Sequence, residues 1–401
     1  MTDSQKDIES MFNRGVALYD LQKYQEALEL FNEILSTNSQ HKKAIFFKGL
    51  VLDDMGKHEE AIEICDRLLD LYPRDISALR LKGVAFGEMG KHKESFESFN
   101  KILEIDSRDI DALYCMGGEL AQLGRNEEAV EMFDRVIGID SKYRDVLYSK
   151  GSTLDALKKY PEAIEAYDKL LEINPEHMSA IYNKGIDLDS LRRFGEAIEM
   201  FDALLKINPQ NGYALFCKGT TLSHMGQPQE AIDVYDKLIK IDPKHKEARL
   251  NKGNALGSMG KHQEGIEEYD KALEIDPKYR DALYNKGVAL GQGLNKNDEA
   301  LVVYNMLLNI IPTDLSTLLN KGLALMGLER YEEALETYDK LLGIDSQDKK
   351  AMIGKGHVLT KMGKYREAVE AFDMALVIAP HDDDEMISRL KLEALQKLQA
   401  T

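Results

Sequence analysis

Glycine recurs at a fixed spacing along almost the whole of this 401-residue chain. Eleven glycines, each inside an apolar stretch, are separated by 34 residues, apart from one interval of 35 residues. They are Gly15, Gly49, Gly83, Gly117, Gly151, Gly185, Gly219, Gly253, Gly287, Gly322 and Gly356. Periods of roughly 20 to 50 residues are typical of stacked units that bury their apolar faces against their neighbours. The chain is therefore predicted to be one array of eleven copies, and not the two or three globular domains that its length suggests.

The fifth copy shows the pattern of a single unit. Residues 144–157 place Leu147, Gly151 and Leu154 on one face at spacings of four and three, which indicates an amphipathic helix. A second stretch follows after a short turn, with the same apolar periodicity and with Pro161 in its first turn, where a missing N–H costs nothing. Each copy is therefore predicted to form two antiparallel helices.

Three more positions repeat together with the glycine. A small residue stands twelve residues after it, an aromatic residue sixteen after it in most copies, and a proline about twenty-four after it in seven copies. Antiparallel helices approach closely where their facing side chains are small, so Gly151 and Ala163 are predicted to mark the crossing point of the two helices. In the +16 position the second copy has Cys65, which we interpret as a small buried apolar residue.

These spacings resemble the tetratricopeptide repeat, a helix-turn-helix unit of 34 residues. The resemblance covers residues 8–380 and implies an all-α, right-handed superhelical solenoid of about eleven repeats. We expect residues 1–7 to be a polar lead and 381–401 a C-terminal capping helix, because Ile387, Leu390, Ala394 and Leu398 form one stripe. In this family the first helices line a concave groove that typically receives a peptide from a partner.

A lysine or arginine precedes the glycine in ten copies, inside the apolar stripe, and Met116 is the exception. An aspartate such as Asp270 follows the +16 position in eight copies, and Asn32, Asn100 and Asn305 replace it in the others. We expect Lys–Asp pairs between second and first helices, either within one repeat or across the joint to the next. Because Met116 follows the repeat that contains Asn100, the pattern favours the joint. The alternative is that both columns extend to solvent unpaired.

By analogy with the family, the groove face holds the residues three before, one after, and four or five after each glycine. The position three before the glycine contributes Phe12, Phe46, Arg80, Tyr114, Tyr148, Tyr182, Phe216 and Tyr284. The later positions contribute Tyr19, Asp20, Asp53, Asp54, Glu88, Asp155 and Asp189 in the first six copies, then Ser223, His224, Ser258, Gln292 and Lys361. The aromatic residues have a second interpretation, as core residues in the joints between first helices. For Phe46 the groove interpretation and the core interpretation are equally supported.

Some family members bind a partner's terminal carboxylate with a lysine three before and an asparagine just after the glycine. Here only Asn254 matches the asparagine, and the lysine is absent, so that function is not expected. The acidic and aromatic first half instead predicts a ligand segment with Lys or Arg spaced among apolar residues. The function expected is a noncatalytic protein-protein interaction scaffold. The alternative is a self-associating structural scaffold without a peptide ligand; a binder of single-stranded RNA is a weaker third hypothesis, disfavoured by the acidic groove.

Composition and motifs support these function classes. The net charge of −18 disfavours nucleic acid partners, and no apolar run approaches the ~20 residues needed to span a bilayer. The three cysteines form no disulfide framework, so we expect a cytoplasmic protein that does not insert into a membrane and that can form homo-oligomers. The sequence contains no catalytic motif, so we expect neither enzyme activity, a cofactor nor a metal. We interpret the acidic residues 382–385 as the first turn of a helix, in preference to a metal site.

The interval of 35 residues arises from one extra residue within 291–300. Two glycines lie in the same stretch, so we expect a longer turn between the two helices of the ninth repeat. The insertion is interpreted as a tolerated loop, since surface turns accept insertions without a functional role. The alternative is a bend in the solenoid that changes the direction of repeats ten and eleven.

Overall fold

The computed structural model describes residues 3–378 and 384–400, and all of its regular secondary structure in those residues is helical. The chain divides into two compact units, Met1–Met200 and Phe201–Thr401. Within each unit, consecutive helices pack as antiparallel hairpins, as predicted for a helical solenoid. Pro380, Asp382 and Asp383, which entered the sequence predictions, lie outside the described residues.

In the first unit, each hairpin consists of a first helix and a second helix. The first helices are α1 (Asp3–Asp20), α3 (Lys42–Asp54), α5 (Ile76–Glu88), α7 (Ile110–Gln122), α9 (Arg144–Ala156) and α11 (Met178–Ser190). The second helices are α2 (Tyr24–Thr37), α4 (His58–Leu71), α6 (His92–Ile105), α8 (Asn126–Ile139) and α10 (Tyr160–Ile173). The division between the units falls within the next helix, α12 (Phe194–Ile207).

The second unit repeats the same order. Its first helices are α13 (Gly212–His224), α15 (Lys246–Ser258), α17 (Arg280–Val288), α19 (Leu315–Gly327) and α21 (Lys349–Lys361). Its second helices are α14 (Pro228–Ile241), α16 (His262–Ile275), α18 (Asn297–Ile310), α20 (Tyr331–Ile344) and α22 (Tyr365–Val377). The last helix, α23 (Asp384–Ala400), packs against α22 and buries Ile387 and Ala394, whereas Leu398 is exposed.

Local sequence explains where the helices begin and end. Asp75 caps the first turn of α5, since its side chain accepts a hydrogen bond from the Ala78 N–H at 2.8 Å. The turn after α3 contains Gly56 in the left-handed region, with φ of 73°, a conformation that glycine adopts without steric cost. Pro161 lies in the first turn of α10, as the sequence predicted.

The repeated glycine lets each first helix touch its own second helix. The Ser95 hydroxyl, in the small-residue position, donates a hydrogen bond to the Gly83 carbonyl at 2.8 Å, so these positions meet at the crossing point as predicted. The sequence did not predict a second contact. A Cβ added to Gly151 would lie 2.5 Å from Cε1 of the buried Tyr167, so the glycine also makes room for the +16 aromatic ring.

The Lys–Asp column is confirmed, and its pairs cross the joint between consecutive repeats. Lys184 Nζ lies 2.5 Å from Asp168 Oδ1 of the preceding hairpin. The same pairing joins Lys82 with Asp66, Lys150 with Asp134, Lys218 with Asp202, Lys252 with Asp236, Lys286 with Asp270, and Lys355 with Asp339. In α23, Lys391 pairs with Asp373 and so continues the column past the last hairpin.

Two lysines follow a repeat with asparagine in the aspartate position. Lys48 follows the repeat of Asn32, and Lys321 follows the repeat of Asn305. Burial lowers the pKa of both lysines, and the nearby cations Arg67 and Lys340 lower them further. The aspartate column therefore matters because it offsets the loss of hydration at a half-buried ammonium group.

The inserted residue of the ninth repeat lies in a helix, and not in a longer turn as predicted. It forms a π-helical turn, Ala289–Gly293, which continues α17. Gly293 packs directly on the preceding hairpin, because a Cβ there would lie 2.6 Å from His262 Cγ. One extra residue in a helix is commonly absorbed as such a bulge, and bulges of this kind often lie at functional sites.

Candidate functional site

The exposed surface of the first helices contains some of the residues that the sequence singled out. In the first unit, Asp20, Asp54 and Glu88 lie at the C-terminal ends of successive first helices and are exposed. The Tyr19 hydroxyl donates a hydrogen bond to Asp54 Oδ2 at 2.6 Å, which links two neighbouring first helices. Burial of Tyr19, followed by this hydrogen bond, raises the pKa of its hydroxyl, so it remains a donor at neutral pH.

The side chains of three predicted residues are buried or form ion pairs within the fold. Phe12 is 6% exposed and lies in the core, so we leave it out of the candidate surface. Asp53 pairs with His58 Nδ1 at 2.8 Å. Arg80 contacts both Asp109 and Asp111 at 2.8 and 2.7 Å, which neutralises the one cation at its position.

Most of the aromatic residues three before the glycine fill the joints between hairpins. The Tyr148 ring lies 5.3 Å from the His177 ring, and the Phe216 ring is stacked 5.2 Å from His245. Tyr114 packs similarly on Tyr143 at 5.6 Å. Tyr114, Tyr148 and Phe216 therefore pack in joints, as the second interpretation predicted, and each residue remains partly exposed. Phe46 and Tyr182 are also half-buried.

Asp155 belongs to a buried polar cluster in the joint between α9 and α11. Its Oδ2 accepts a hydrogen bond from the Tyr167 hydroxyl at 2.5 Å, and that hydroxyl accepts one from Asn183 Nδ2 at 3.1 Å. The other oxygen of Asp155, Oδ1, is buried and receives no hydrogen bond from a donor in the described residues. Asp187 Oδ2 is also buried and also receives no hydrogen bond from these residues. The two carboxyl groups therefore face one another.

The arrangement favours the protonated form of Asp187. Burial, then the hydrogen bond to Asp155 and its charge, raises the pKa of Asp187 to about 8. Asp187 is 2% exposed and stands two residues after its glycine, a position that the sequence argument did not examine. The partly buried Asp189, on the same helix, was predicted as a groove residue. The candidate surface is thus less negative near α11 at neutral pH than its carboxyl groups suggest.

In the second unit, a cavity of about 690 Å³ opens among the first helices α15, α17, α19 and α21. Three predicted residues, Asn254, Tyr284 and Gln292, line it, together with the carboxamides of Asn285 and Asn320. The carboxamides form pairs: Gln292 Nε2 donates to Asn320 Oδ1 at 3.0 Å, and Asn285 Nδ2 donates to Asn254 Oδ1 at 2.8 Å.

Two more hydrogen bonds connect the carboxamides to tyrosines. Asn320 Nδ2 donates to the Tyr284 hydroxyl at 3.0 Å, and the Tyr269 hydroxyl donates to Asn254 Oδ1 at 2.8 Å. Sequence reasoning did not place Asn285 and Asn320 in a site, although both belong to the repeated Asn-Lys-Gly triplet. That repetition was the signal that could have found them.

Two features of the described residues concern other function classes. None of the described helices is both long and apolar enough to cross a membrane. Among residues 3–378 and 384–400, His, Cys, Asp and Glu side chains form no group of three or more that could hold a metal ion. Burial raises the pKa of the Cys65 thiol to about 12, in agreement with its interpretation as a buried apolar residue.

Comparison with protein families gives several matches along the chain. Tetratricopeptide repeat models match residues 110–143, 145–177 and 325–391, and a TPR repeat model matches residues 253–293. The model of the anaphase-promoting complex, cyclosome, subunit 3, matches residues 20–102 and 190–272. No curated protein sequence matches the chain significantly.

Three solved structures match parts of this chain. YrrB, described as a TPR protein with an unusual peptide-binding site, is 25% identical; the match covers 48% of this chain and 98% of YrrB, with a TM-score of 0.42. A tetratricopeptide repeat protein from Parabacteroides merdae is 17% identical to this chain. The match covers 63% of this chain and 98% of that protein, with a TM-score of 0.47. MamA from Desulfovibrio magneticus is 21% identical to this chain. The match covers 42% of this chain and 96% of the MamA chain, with a TM-score of 0.40.

Proposed function

Since this chain is a tetratricopeptide repeat protein, we propose that it acts as a noncatalytic scaffold that binds segments of partner proteins on the exposed surface of its first helices. The observation that carries this proposal is where the repeats differ. Glycine, the small residue and the ion pair recur from repeat to repeat because the fold needs them. The exposed positions of the first helices differ in charge and size, although the fold places no such demand on them.

The first unit offers a surface for a segment with basic and apolar residues. Asp20, Asp54 and Glu88 present carboxylates at one-repeat intervals, and the partly exposed Tyr114 and Tyr148 lie on first helices of the same unit. A ligand with Lys or Arg among apolar residues would pair with the acids and pack on the rings. Charge complementarity of this kind contributes mainly to specificity and to the rate of association.

The second unit suits a segment with few charges. Carboxamides both donate and accept hydrogen bonds, so Asn254, Gln292 and Asn320 can satisfy the alternating N–H and C=O groups of an extended main chain. Lys350 is the only Lys or Arg side chain that lines this cavity. Binding here would replace the pairs that the carboxamides form with one another.

The scaffold acts in a reducing compartment, the cytoplasm, because its three cysteines lie in different repeats and form no disulfide framework. RNA is a poor ligand for the first unit, since the exposed acids there would repel a phosphate backbone.

Selection of peptides from a random library displayed on phage, against the purified full chain, tests the proposal. We expect enrichment of sequences with Lys or Arg spaced among apolar residues, and loss of that enrichment for the variant with Asp54→Lys and Glu88→Lys. A selection that enriches no sequence, or the same sequences with both proteins, would count against the proposal.

A further inference from the structure

One second helix differs from all the others on its outer surface. Two residues after the small residue, ten copies have an acid: Glu29, Glu63, Glu97, Glu131, Glu165, Glu199, Asp233, Glu267, Glu336 and Glu370. In α18 this position is Val302, which is 61% exposed. An exposed valine contributes nothing to the core of the hairpin, so the exchange does not come from packing within the fold.

The next residue on the same stripe changes in the same way. Four residues after the acid, seven copies have Lys or Arg, and in α10 the resulting pair, Glu165 with Lys169, is 2.8 Å apart. In α18 this position is Met306, which is 47% exposed, and Ile310 extends the stripe with 36% exposed. Of the eleven copies, only this one has apolar residues at both positions.

The surface around this stripe is uncharged along the helix. From residue 300 to residue 313 the sequence contains no charged residue, and the exposed residues between the apolar ones are Asn305 and Asn309. The second helices of the hairpins before and after α18 keep their charges: Glu267 and Lys271 on α16, Glu336 and Lys340 on α20. An apolar centre with a charged rim is typical of protein interfaces.

We propose that Val302, Met306 and Ile310 form the centre of a symmetric contact in which α18 of one copy packs against α18 of a second copy of this chain. A two-fold axis brings the same residues together, so the apolar stripe meets its own equivalent. Two copies of a chain with a net charge of −18 repel each other. Val302 replaces the acid that the other second helices have at this position. When α18 of one copy approaches α18 of another, no pair of like charges is therefore buried at Val302.

The size of the stripe sets the strength of the contact. A helix of 14 residues is about 21 Å long, and three apolar side chains on it make an interface below the roughly 1,200 Å² of a stable complex. We therefore expect a weak, reversible dimer. This contact lies on the second helices and is independent of peptide binding by the first helices.

Sedimentation velocity of the full chain from low to high micromolar concentration tests this inference. The wild type is expected to shift from monomer to dimer, and the variant with Val302→Glu and Met306→Lys, which restores the ion pair of the other copies, is expected to dimerise at least tenfold more weakly. A wild type that stays monomeric overturns the inference, and so does a variant that dimerises as strongly as the wild type. Either result would leave a different partner for the stripe.

Two controls separate the contact from effects on folding. The circular dichroism and Tm of the double variant should match those of the wild type, because both residues are exposed and a Glu–Lys pair at this spacing supports a helix. Val302→Ser, which removes the apolar side chain without adding charge, should weaken the dimer in the same direction. Glu131→Gln, at the equivalent position of α8 in the first unit, should leave it unchanged.

Discussion

The Lys286 ammonium group donates a hydrogen bond to the Asp270 carboxylate of the preceding hairpin. The lysine lies inside an apolar stripe, and its charged end reaches the edge of the joint, where the aspartate meets it. This pair is repeated at six other joints within the described residues. At these seven joints the pair therefore links one hairpin to the next.

Replacing Lys286 should change stability little. The lysine side chain is 22% exposed and the aspartate 47% exposed, so water already screens the pair. We expect Lys286→Met to change the free energy of unfolding by only about 0–1 kcal/mol, as is usual for partly exposed pairs. Urea unfolding followed by circular dichroism checks this; a loss of about 3–5 kcal/mol would mean that the pair behaves as a buried one.

Two adjacent glycines on α7 should respond in opposite ways to substitution by alanine. A Cβ on Gly117 would lie 2.5 Å from Phe133 Cε1, whereas a Cβ on Gly118 meets no atom within 4 Å. Gly117→Ala should destabilise the protein by about 1–3 kcal/mol through overpacking. Gly118→Ala should stabilise it by about 0.5–1 kcal/mol, since alanine favours a helix. Equal effects in thermal unfolding would contradict the assigned ring contact.

The Asp155–Asp187 pair should make stability fall as the pH rises. The pKa of Asp187 is raised from its usual 3.8 to about 8, so the folded state binds more protons than the unfolded state between these values. Stability is then highest at the acid end of this window and declines toward pH 8, by at most about 1.4 kcal/mol per pH unit for one proton.

Asp187→Asn removes this titration, and its amide can still donate to Asp155. We therefore expect the Tm of the variant relative to wild type to rise steadily from pH 5 to pH 8.5. Thermal unfolding of both proteins across this range is the measurement. A difference in Tm that stays constant with pH would show that the pKa of Asp187 is not raised in the folded protein.

The sequence predicted the repeated features well, because each was present in many copies. The period located the hairpins, and the exception at Met116 favoured the pairing across the joint that the structure has. Features that occur once were harder to predict. The extra residue of the ninth repeat was assigned to a turn, since spacing alone does not distinguish a longer turn from the π-helical turn at Ala289–Gly293.

The candidate surface shows the same limit. Exposure of Asp54 and Glu88 follows from their place at the ends of helices, and the sequence predicted both as surface residues. Phe12 has the same spacing as Tyr148 but is buried, because its ring packs edge-on against Phe47 at 5.4 Å. The Asp187 carboxyl was missed because a charged residue is not expected at a buried position unless its partner is known.

The most direct test of the proposed scaffold compares two variants with equal changes of charge. Asp54→Lys with Glu88→Lys alters the exposed surface of the first helices, and Glu63→Lys with Glu97→Lys alters that of the second helices in the same unit. Fluorescence anisotropy would give the dissociation constant of a selected basic peptide for each. We expect about tenfold weaker binding for the first variant, which corresponds to ~1.4 kcal/mol, and less than about a twofold change for the second. Equal weakening in both variants would contradict binding on the first helices.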